Sequence, residues 1–419
     1  MLEQTNPYPI HTRELSFNYD YAIALVVIGS LIASSLVSSL GALIFLVAGL
    51  AHMLFRIEYS LAALIKGWPI LLFGIVGIIS TIWSDNPALS LKRGTQILLT
   101  SMICLSLFYS VRTEILLNVL ALCVVVATLY ALSSSHSVSI SYTGEVIRVG
   151  HFGSKNNMSG FGAFGALTGL GCLLFHHPVK GQKPLGALCI IVSLFVISQA
   201  KSLGTNLMII TVVSIAVMLF LYSKYTQSSV LRRLINLTVL GYSITIVAFI
   251  IVIFDFEIYT NLMYSLGKDP TITGRTVIWE IGLHSIKENP WLGVGLKAYW
   301  NEFNQGALEI WQAMHKDVGS YFGFHNLYIH YYAELGLPGL VTIVLIIAST
   351  LYAIYSSTIN GMSRETVFAC ALFLFFFSKS FFETTGFNEL SIDHFKLCLF
   401  WALLNKSTYF QTGVKYYLR

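Results

Sequence analysis

One polar segment of an otherwise apolar chain carries the side chains best suited to acid–base and anion chemistry. It covers residues 255–337 and includes DPTITGRTVIW, which predicts a helix with Arg275 in or beside its first turn. Backbone N–H groups and the helix dipole favour an anion there, and a guanidinium strengthens such a site. Bonds from Arg275 to loop carbonyls are the alternative. His325, in GFHN, is a candidate general base because histidine is the side chain that titrates near neutral pH.

A carboxylate outside this segment is a candidate to support the histidine. Glu383 follows the eleventh predicted span and could orient His325 or bind a sugar hydroxyl. A bridge from Glu383 to Lys379, four residues earlier on the same helix, is an alternative explanation that requires no site.

The composition places these residues in a membrane protein. Of 419 residues, 55% are hydrophobic and 11% are charged, and the mean hydropathy is +0.72, which excludes an ordinary soluble protein. All six cysteines fall in apolar segments, where they are expected to act as small hydrophobic side chains rather than disulfides. The chain has neither a CxxC pair nor an HEXXH motif, so it contains no recognisable tight zinc site.

Hydropathy predicts an all-α polytopic membrane protein with about twelve transmembrane helices. We expect one membrane domain over residues 1–419, a short outer loop at residues 135–158, and a large outer loop with helices at residues 255–337, between the ninth and tenth spans. The predicted spans are residues 21–35, 40–55, 67–83, 94–110, 115–134, 159–175, 185–200, 205–222, 234–254, 337–355, 365–382 and 393–404.

The basic residues orient this topology and leave a remainder on the outer side. With both ends inside, 13 of the 25 lysines and arginines are cytoplasmic, and five of the other 12 lie in the long loop, where charge has little influence on orientation. An anionic ligand at the outer interface would explain the seven that remain, and snorkelling to lipid headgroups is the alternative. These seven are Lys92, Arg93, Arg148, Lys155, Lys201, Lys379 and Lys396.

The chain contains four short motifs in a fixed order. They are R-x-G-x-F ending in asparagine (Arg148, Gly150, Phe152, Asn156), T-G-R-T-x-x-W (residues 273–279), N-P-x-L-G-x-G (residues 289–295), and H-N followed by E-L-G-L-P-G-L (His325, Asn326, residues 334–340). In their order and spacing these motifs resemble those of the O-antigen ligase and Wzy-type polysaccharide polymerase family. TGRT and NPWLGVG are most similar to exopolysaccharide polymerases of the succinoglycan type.

The resemblance implies a GT-C-like glycosyltransferase of the bacterial inner membrane, with its active site facing the periplasm. It would be an inverting-type enzyme that takes glycan from undecaprenyl diphosphate without a metal or nucleotide. Arg148 and Arg275 would hold the diphosphate, and His325 would deprotonate the acceptor hydroxyl. Lys201 stands where many members have an arginine, so it keeps the charge but loses the bidentate fork. Further expected substrate-binding residues are Lys155, Asn156, Asn326 and Glu383.

The implied partners are the lipid-linked glycan, a polysaccharide acceptor, membrane lipids and a chain-length regulator protein, with no nucleic acid. Two alternatives remain open. One is a ligase that transfers finished glycan to lipid A-core, since a ligase and a polymerase share the same donor. The other is a transporter or flippase of lipid-linked sugars, although the sequence shows no two-half repeat and no matching pair of broken helices.

Overall fold

The architecture was obtained from a computed structural model, which describes residues 10–133, 138–140, 146–175, 179–225, 274–360 and 362–411. Within these residues the protein is an all-α polytopic membrane protein with one two-stranded antiparallel sheet, β1 (Val138–Ile140) and β2 (Val146–Arg148). Its helices are α1 (Ile10–Phe55), α2 (Ile57–Lys66), α3 (Trp68–Ile79), α4 (Pro87–Ser110), α5 (Thr113–Ser133), α6 (Lys155–Leu174), α7 (Gln182–Ala200), α8 (Leu203–Tyr225), α9 (Arg275–Glu288), α10 (Gln305–Ala313), α11 (Leu327–Asn360), α12 (Arg364–Ser380) and α13 (Ile392–Gln411).

The first helical stretch, α1, folds back on itself. The Tyr19 hydroxyl lies 3.0 Å from His52 Nδ1, and Arg56 Nη2 lies 3.2 Å from Asp20 Oδ1. A straight helix would separate Tyr19 from His52 by about 50 Å, at a rise of 1.5 Å per residue. The stretch therefore contains two antiparallel arms, Phe17–Val37 and Ser39–Phe55. These arms correspond to the first two predicted spans.

Helices overlap every other predicted span except residues 234–254, which lie outside the described residues. Within the described ranges, six helices are long and apolar enough to cross a membrane, or seven if Ser39–Phe55 and α2, bent by 103°, form one span. The total of twelve spans stays a prediction. Helix α2, which joins the arm Ser39–Phe55 to α3, was not predicted.

The described part of the long polar segment folds around its own aromatic core. Tyr299, Trp311 and Phe324 are fully buried there. Burial of three large aromatic side chains stabilises this segment, which packs against α11 through α9.

Backbone bonds join two of the sequence motifs at a break in α11. Gly295 N–H donates to Glu334 O (2.7 Å), and Leu337 N–H donates to Trp291 O (3.1 Å). Between them Gly336 has φ 61° and ψ −153°, a conformation almost exclusive to glycine. The NPWLGVG segment is therefore fastened to the residues ELGL. This contact fixes the first turns of α11, which begins at Leu327, two residues after His325.

Candidate active site

The carboxylate of Glu383 connects three segments that are distant in sequence. Glu383 follows the end of α12, and its backbone N–H donates to Lys379 O (2.9 Å). Its Oε1 accepts from Arg275 Nη2 (2.7 Å) and from Asn156 Nδ2 (2.8 Å), and its Oε2 contacts His325 Nδ1 (2.9 Å). The side chains of Arg275, Glu383 and His325 are 13%, 16% and 29% exposed. We call these four residues the Glu383 cluster.

Local structure explains how each donor reaches Glu383. Arg275 is the first residue of α9, directly after Gly274 in the left-handed region, so its side chain lies at the helix N-terminus. Asn156 is in the first turn of α6, which begins after Ser154 because the Ser154 hydroxyl accepts the Asn157 N–H (3.1 Å). On its other side, the Asn156 carbonyl accepts from the Ser202 hydroxyl (3.3 Å).

Three local features fix the position of His325. Its backbone is in the left-handed region, with φ 51°. The Phe322 ring meets the imidazole edge-on, with centroids 5.3 Å apart. Trp279, the last residue of the T-G-R-T-x-x-W motif, donates from Nε1 to the carbonyl of Phe324 (2.9 Å). The motif therefore places Arg275 and secures the backbone beside His325 from the same helix.

The electrostatics of the cluster favour an ionised carboxylate. Burial alone would raise the pKa of Glu383, but the hydrogen bond and charge of His325, with the charges of Arg275 and Lys379, outweigh it and lower that pKa from its ordinary value of 4.5. An ionised carboxylate against Nδ1 keeps a proton on that nitrogen, which leaves Nε2 as the proton acceptor. This is the arrangement that a histidine general base requires.

A cavity of about 810 Å³ adjoins the cluster. Asn156, His325 and Glu383 line it, and its wall also includes Ser34 and Ser35 from the first arm of α1, Asn388, and the segments 151–154, 321–323 and 390–393. Its size lies within the range of about 300–1,000 Å³ that is usual for ligand pockets.

Three further predicted site residues lie at the ends of secondary-structure elements. Arg148 is exposed at the end of β2, where its backbone is paired with Val138. Lys155 begins α6, and Lys201 follows α7 in the left-handed region, with φ 47°; both make contacts of their own. Arg148, Lys155 and Lys201 are not among the described residues that line the cavity.

Asn326 caps α11. Its side-chain oxygen accepts the N–H groups of Tyr328 (3.0 Å) and Ile329 (3.1 Å), and its amide donates to Phe381 O (3.2 Å). These contacts fix the start of the helix beside His325.

The sequence analysis missed a buried lysine and an aromatic wall of the cavity. Lys297 Nζ donates to the Tyr321 hydroxyl (2.9 Å) and to Asn388 Oδ1 (3.1 Å), and Tyr321 lines the cavity. The Tyr321 hydroxyl also contacts His330 Nε2 (3.2 Å). The position of Lys297, two residues after NPWLGVG, was the available signal, but a cation in a long loop carries little information about topology.

Comparisons with known proteins support the family resemblance. The sequence model of the family described as O-Antigen ligase matches residues 185–344, a range that includes Arg275 and His325. The exopolysaccharide production protein ExoQ of Rhizobium meliloti is 25% identical over 291 residues, 67% of this chain and 63% of that protein. An uncharacterized protein of Haemophilus influenzae is 24% identical over 200 residues, 46% of this chain and 49% of that protein.

The chain therefore spans less than two thirds of the length of either relative. The predicted resemblance is confirmed, since residues 185–344 match the model of the O-antigen ligase family and the chain is a membrane protein similar to an exopolysaccharide production protein.

Proposed function

We propose that the protein is a membrane glycosyltransferase that moves a glycan from undecaprenyl diphosphate to a sugar hydroxyl at the periplasmic face of the inner membrane. One observation carries the proposal: Glu383 holds His325 and the helix-terminal Arg275 together beside a large cavity. A base and a cation at the same place can act on the two ends of one transfer reaction, the attacking hydroxyl and the leaving diphosphate.

In the proposed reaction His325 Nε2 accepts the proton of the acceptor hydroxyl as its oxygen attacks the sugar carbon bonded to diphosphate. The bond from that carbon to the diphosphate oxygen breaks, and the diphosphate departs with the electron pair, which inverts the carbon. Arg275 faces the charge that grows on the leaving group. A guanidinium has five N–H donors, so its bond to Glu383 is compatible with bonds to phosphate oxygens.

Arg275 carries more of this assignment than the other predicted cations. Its helix N-terminus adds backbone N–H groups and a positive dipole end to the guanidinium charge. Arg275, Arg148 and Lys201 all lie outside the described cavity wall, but Arg275 is bonded to Glu383, which lines it. With guanidinium and ammonium groups supplying the positive charge, the proposed reaction requires no metal ion.

Polymerisation of lipid-linked repeat units is the form of the reaction that we favour, because the match to ExoQ concerns a protein of exopolysaccharide production. Transfer of finished glycan to lipid A-core is the other candidate, supported by the O-antigen ligase segment. A deletion strain separates them. Single repeats that accumulate on the lipid carrier indicate a polymerase, whereas full-length glycan absent only from lipopolysaccharide indicates a ligase.

A transport function is tested with the purified protein. Incubation in detergent with the lipid-linked substrate of its own strain is expected to give longer lipid-linked glycan or glycosylated acceptor. Detergent leaves no compartments between which a transporter could act. Absence of any product, from protein that is folded and supplied with that substrate, would contradict the proposed enzyme.

A further inference from the structure

Two buried lysines line the same cavity and share one carboxylate. Lys396 Nζ lies 2.7 Å from Asp393 Oδ1, and Lys379 Nζ lies 4.0 Å from Asp393 Oδ2. The lysine side chains are only 10% and 12% exposed, for Lys379 and Lys396 respectively, and all three residues belong to the cavity wall. They come from α12 and α13, whose sequences were predicted to span the membrane. Ionisable side chains at such places are costly to bury and usually have a function.

The charges of this group do not balance. Among the described residues, the cavity wall has one other carboxylate, Glu383, which is already bonded to Arg275 and His325. In this part of the chain Asp393 is then left to neutralise both Lys379 and Lys396, so the described group carries one excess positive charge. Since a buried ion pair is stable only when its charges are compensated, an excess charge beside a cavity favours an anion in that cavity.

The surroundings make room for the ammonium groups and add polar atoms. Lys379 Nζ lies against Gly160 of α6, where a Cβ would be only 3.0 Å from the nitrogen. Lys396 Nζ is 4.8 Å from the centroid of the Phe164 ring, one turn further along α6. The cavity wall also includes His151, both of whose ring nitrogens are buried with no hydrogen-bond partner among the described residues. Unpaired buried polar atoms of this kind are rare in proteins.

We propose that Lys379 and Lys396 form an anion subsite for a phosphate group, a site separate from Arg275. The inference rests on the proposed function in that the cavity is taken to be a substrate site. The phosphate could be supplied by the polyprenyl diphosphate carrier or by the headgroup of a membrane lipid. Both present the same chemistry to two ammonium groups.

A binding measurement that requires no turnover tests the subsite. The full-length protein is purified in detergent, and the dissociation constant of farnesyl diphosphate is measured by thermophoresis, with farnesol as the uncharged comparison. Lys379→Met and Lys396→Met are each expected to weaken binding at least about tenfold, the effect of losing one charge-assisted hydrogen bond. Lys287→Met, an exposed lysine on α9, is the matched control and is expected to bind as the wild type does.

Asp393→Asn separates an anion subsite from a purely structural ion group. It removes the carboxylate that competes with the ligand, so farnesyl diphosphate is expected to bind more tightly. If Lys396→Met does not fold, the double variant Lys396→Met/Asp393→Asn takes its place, and it is expected to bind at least about tenfold more weakly than Asp393→Asn. Affinities in the lysine variants equal to that of Lys287→Met would overturn the subsite, and so would an unchanged affinity in Asp393→Asn.

Competition identifies the source of the phosphate, and turnover keeps the two proposals distinct. Phosphatidylglycerol is added in mixed micelles at a concentration equal to that of farnesyl diphosphate. If it displaces farnesyl diphosphate, the subsite binds lipid headgroups. If it does not, the subsite binds the diphosphate of the carrier. Farnesyl diphosphate that binds through the lysines in a protein unable to transfer glycan would refute the proposed function alone. Full glycan transfer with unaltered binding in the lysine variants would refute the subsite alone.

Discussion

Replacement of Glu383 by glutamine tests the proposed base through its partner. Glu383→Gln keeps the size of the side chain but changes one oxygen into an NH₂ group. In the native cluster Oε1 accepts hydrogen bonds from Arg275 and Asn156, whereas the one described hydrogen-bond partner of Oε2 is His325 Nδ1. An NH₂ group in the Oε1 position would face two donors, so the amide oxygen is expected to take that position and the NH₂ group to face His325 Nδ1.

That orientation reverses the imidazole tautomer. Nδ1 must then accept a hydrogen bond, the ring proton moves to Nε2, and Nε2 can no longer take a proton from the acceptor hydroxyl. General-base catalysis contributes about 10²–10⁴-fold to a rate, and a carboxylate-to-amide exchange that imposes the wrong tautomer lowers kcat about 10⁴-fold in a serine-protease triad. We therefore expect Glu383→Gln to lower kcat by about 10²–10⁴-fold and to change the donor KM much less.

The assay is glycan transfer by purified protein in detergent, followed as products separated by gel electrophoresis. Glu309→Gln, which changes an exposed carboxylate on α10, is the control for the loss of one negative charge and is expected to be fully active. A Glu383→Gln protein that is folded and keeps the wild-type kcat would refute the tautomer argument. An equal loss in Glu309→Gln would show that net charge, rather than the contact with His325, matters.

Three further predictions concern stability, each measured as thermal unfolding in detergent. Folding lowers the pKa of Glu383 from 4.5, so its contribution to the free energy of unfolding is present above about pH 4.5 and is lost as the pH falls through the lower folded value. Glu383→Gln should therefore make the unfolding temperature less dependent on pH in acid. The same pH dependence in the variant and the wild type would contradict this. Gly336→Ala puts a Cβ against Trp291 O in a backbone conformation that costs a residue other than glycine about 1–3 kcal/mol. Gly204→Ala, which has open space around the Cβ, should leave stability unchanged. Equal stability of the two variants would contradict the strain assigned to the break in α11 at Gly336. Lys297→Met removes the cation that lies 4.0 Å from Glu389 Oε2 and whose charge interacts with the buried Glu334. The variant should be destabilised by about 3–5 kcal/mol, an expectation that fails if unfolding is unaltered.

Several features of the fold and site could be predicted because they depend on local patterns. Hydrophobic segments of sufficient length predicted helices, including both arms of α1. The motif around Arg275 predicted the helix start that the structure contains, whereas the anion site there stays a prediction. Glu383 was predicted as one possible partner of His325. The structure contains that contact, and Lys379 faces Asp393 rather than bridging to Glu383 as the alternative required.

Other features depend on tertiary packing that no local pattern reports. Charge sign alone could not distinguish Arg148, exposed on a strand end, from Lys379, which is buried in the cavity wall. Both were simply outer cations in the topology. The break at Gly336 was hidden in a continuous apolar pattern, because the residue that causes it is identified by its backbone contact with Trp291 rather than by its neighbours in sequence.

His325, held by Glu383, is the proposed general base of glycan transfer. The most direct measurement is the transfer rate of purified His325→Ala against His284→Ala, since His284 is a largely exposed histidine on α9. With both proteins folded and present at equal amounts, the account predicts a loss of at least about 10²-fold in His325→Ala and none in His284→Ala. A His325→Ala protein that transfers glycan at the wild-type rate would contradict it.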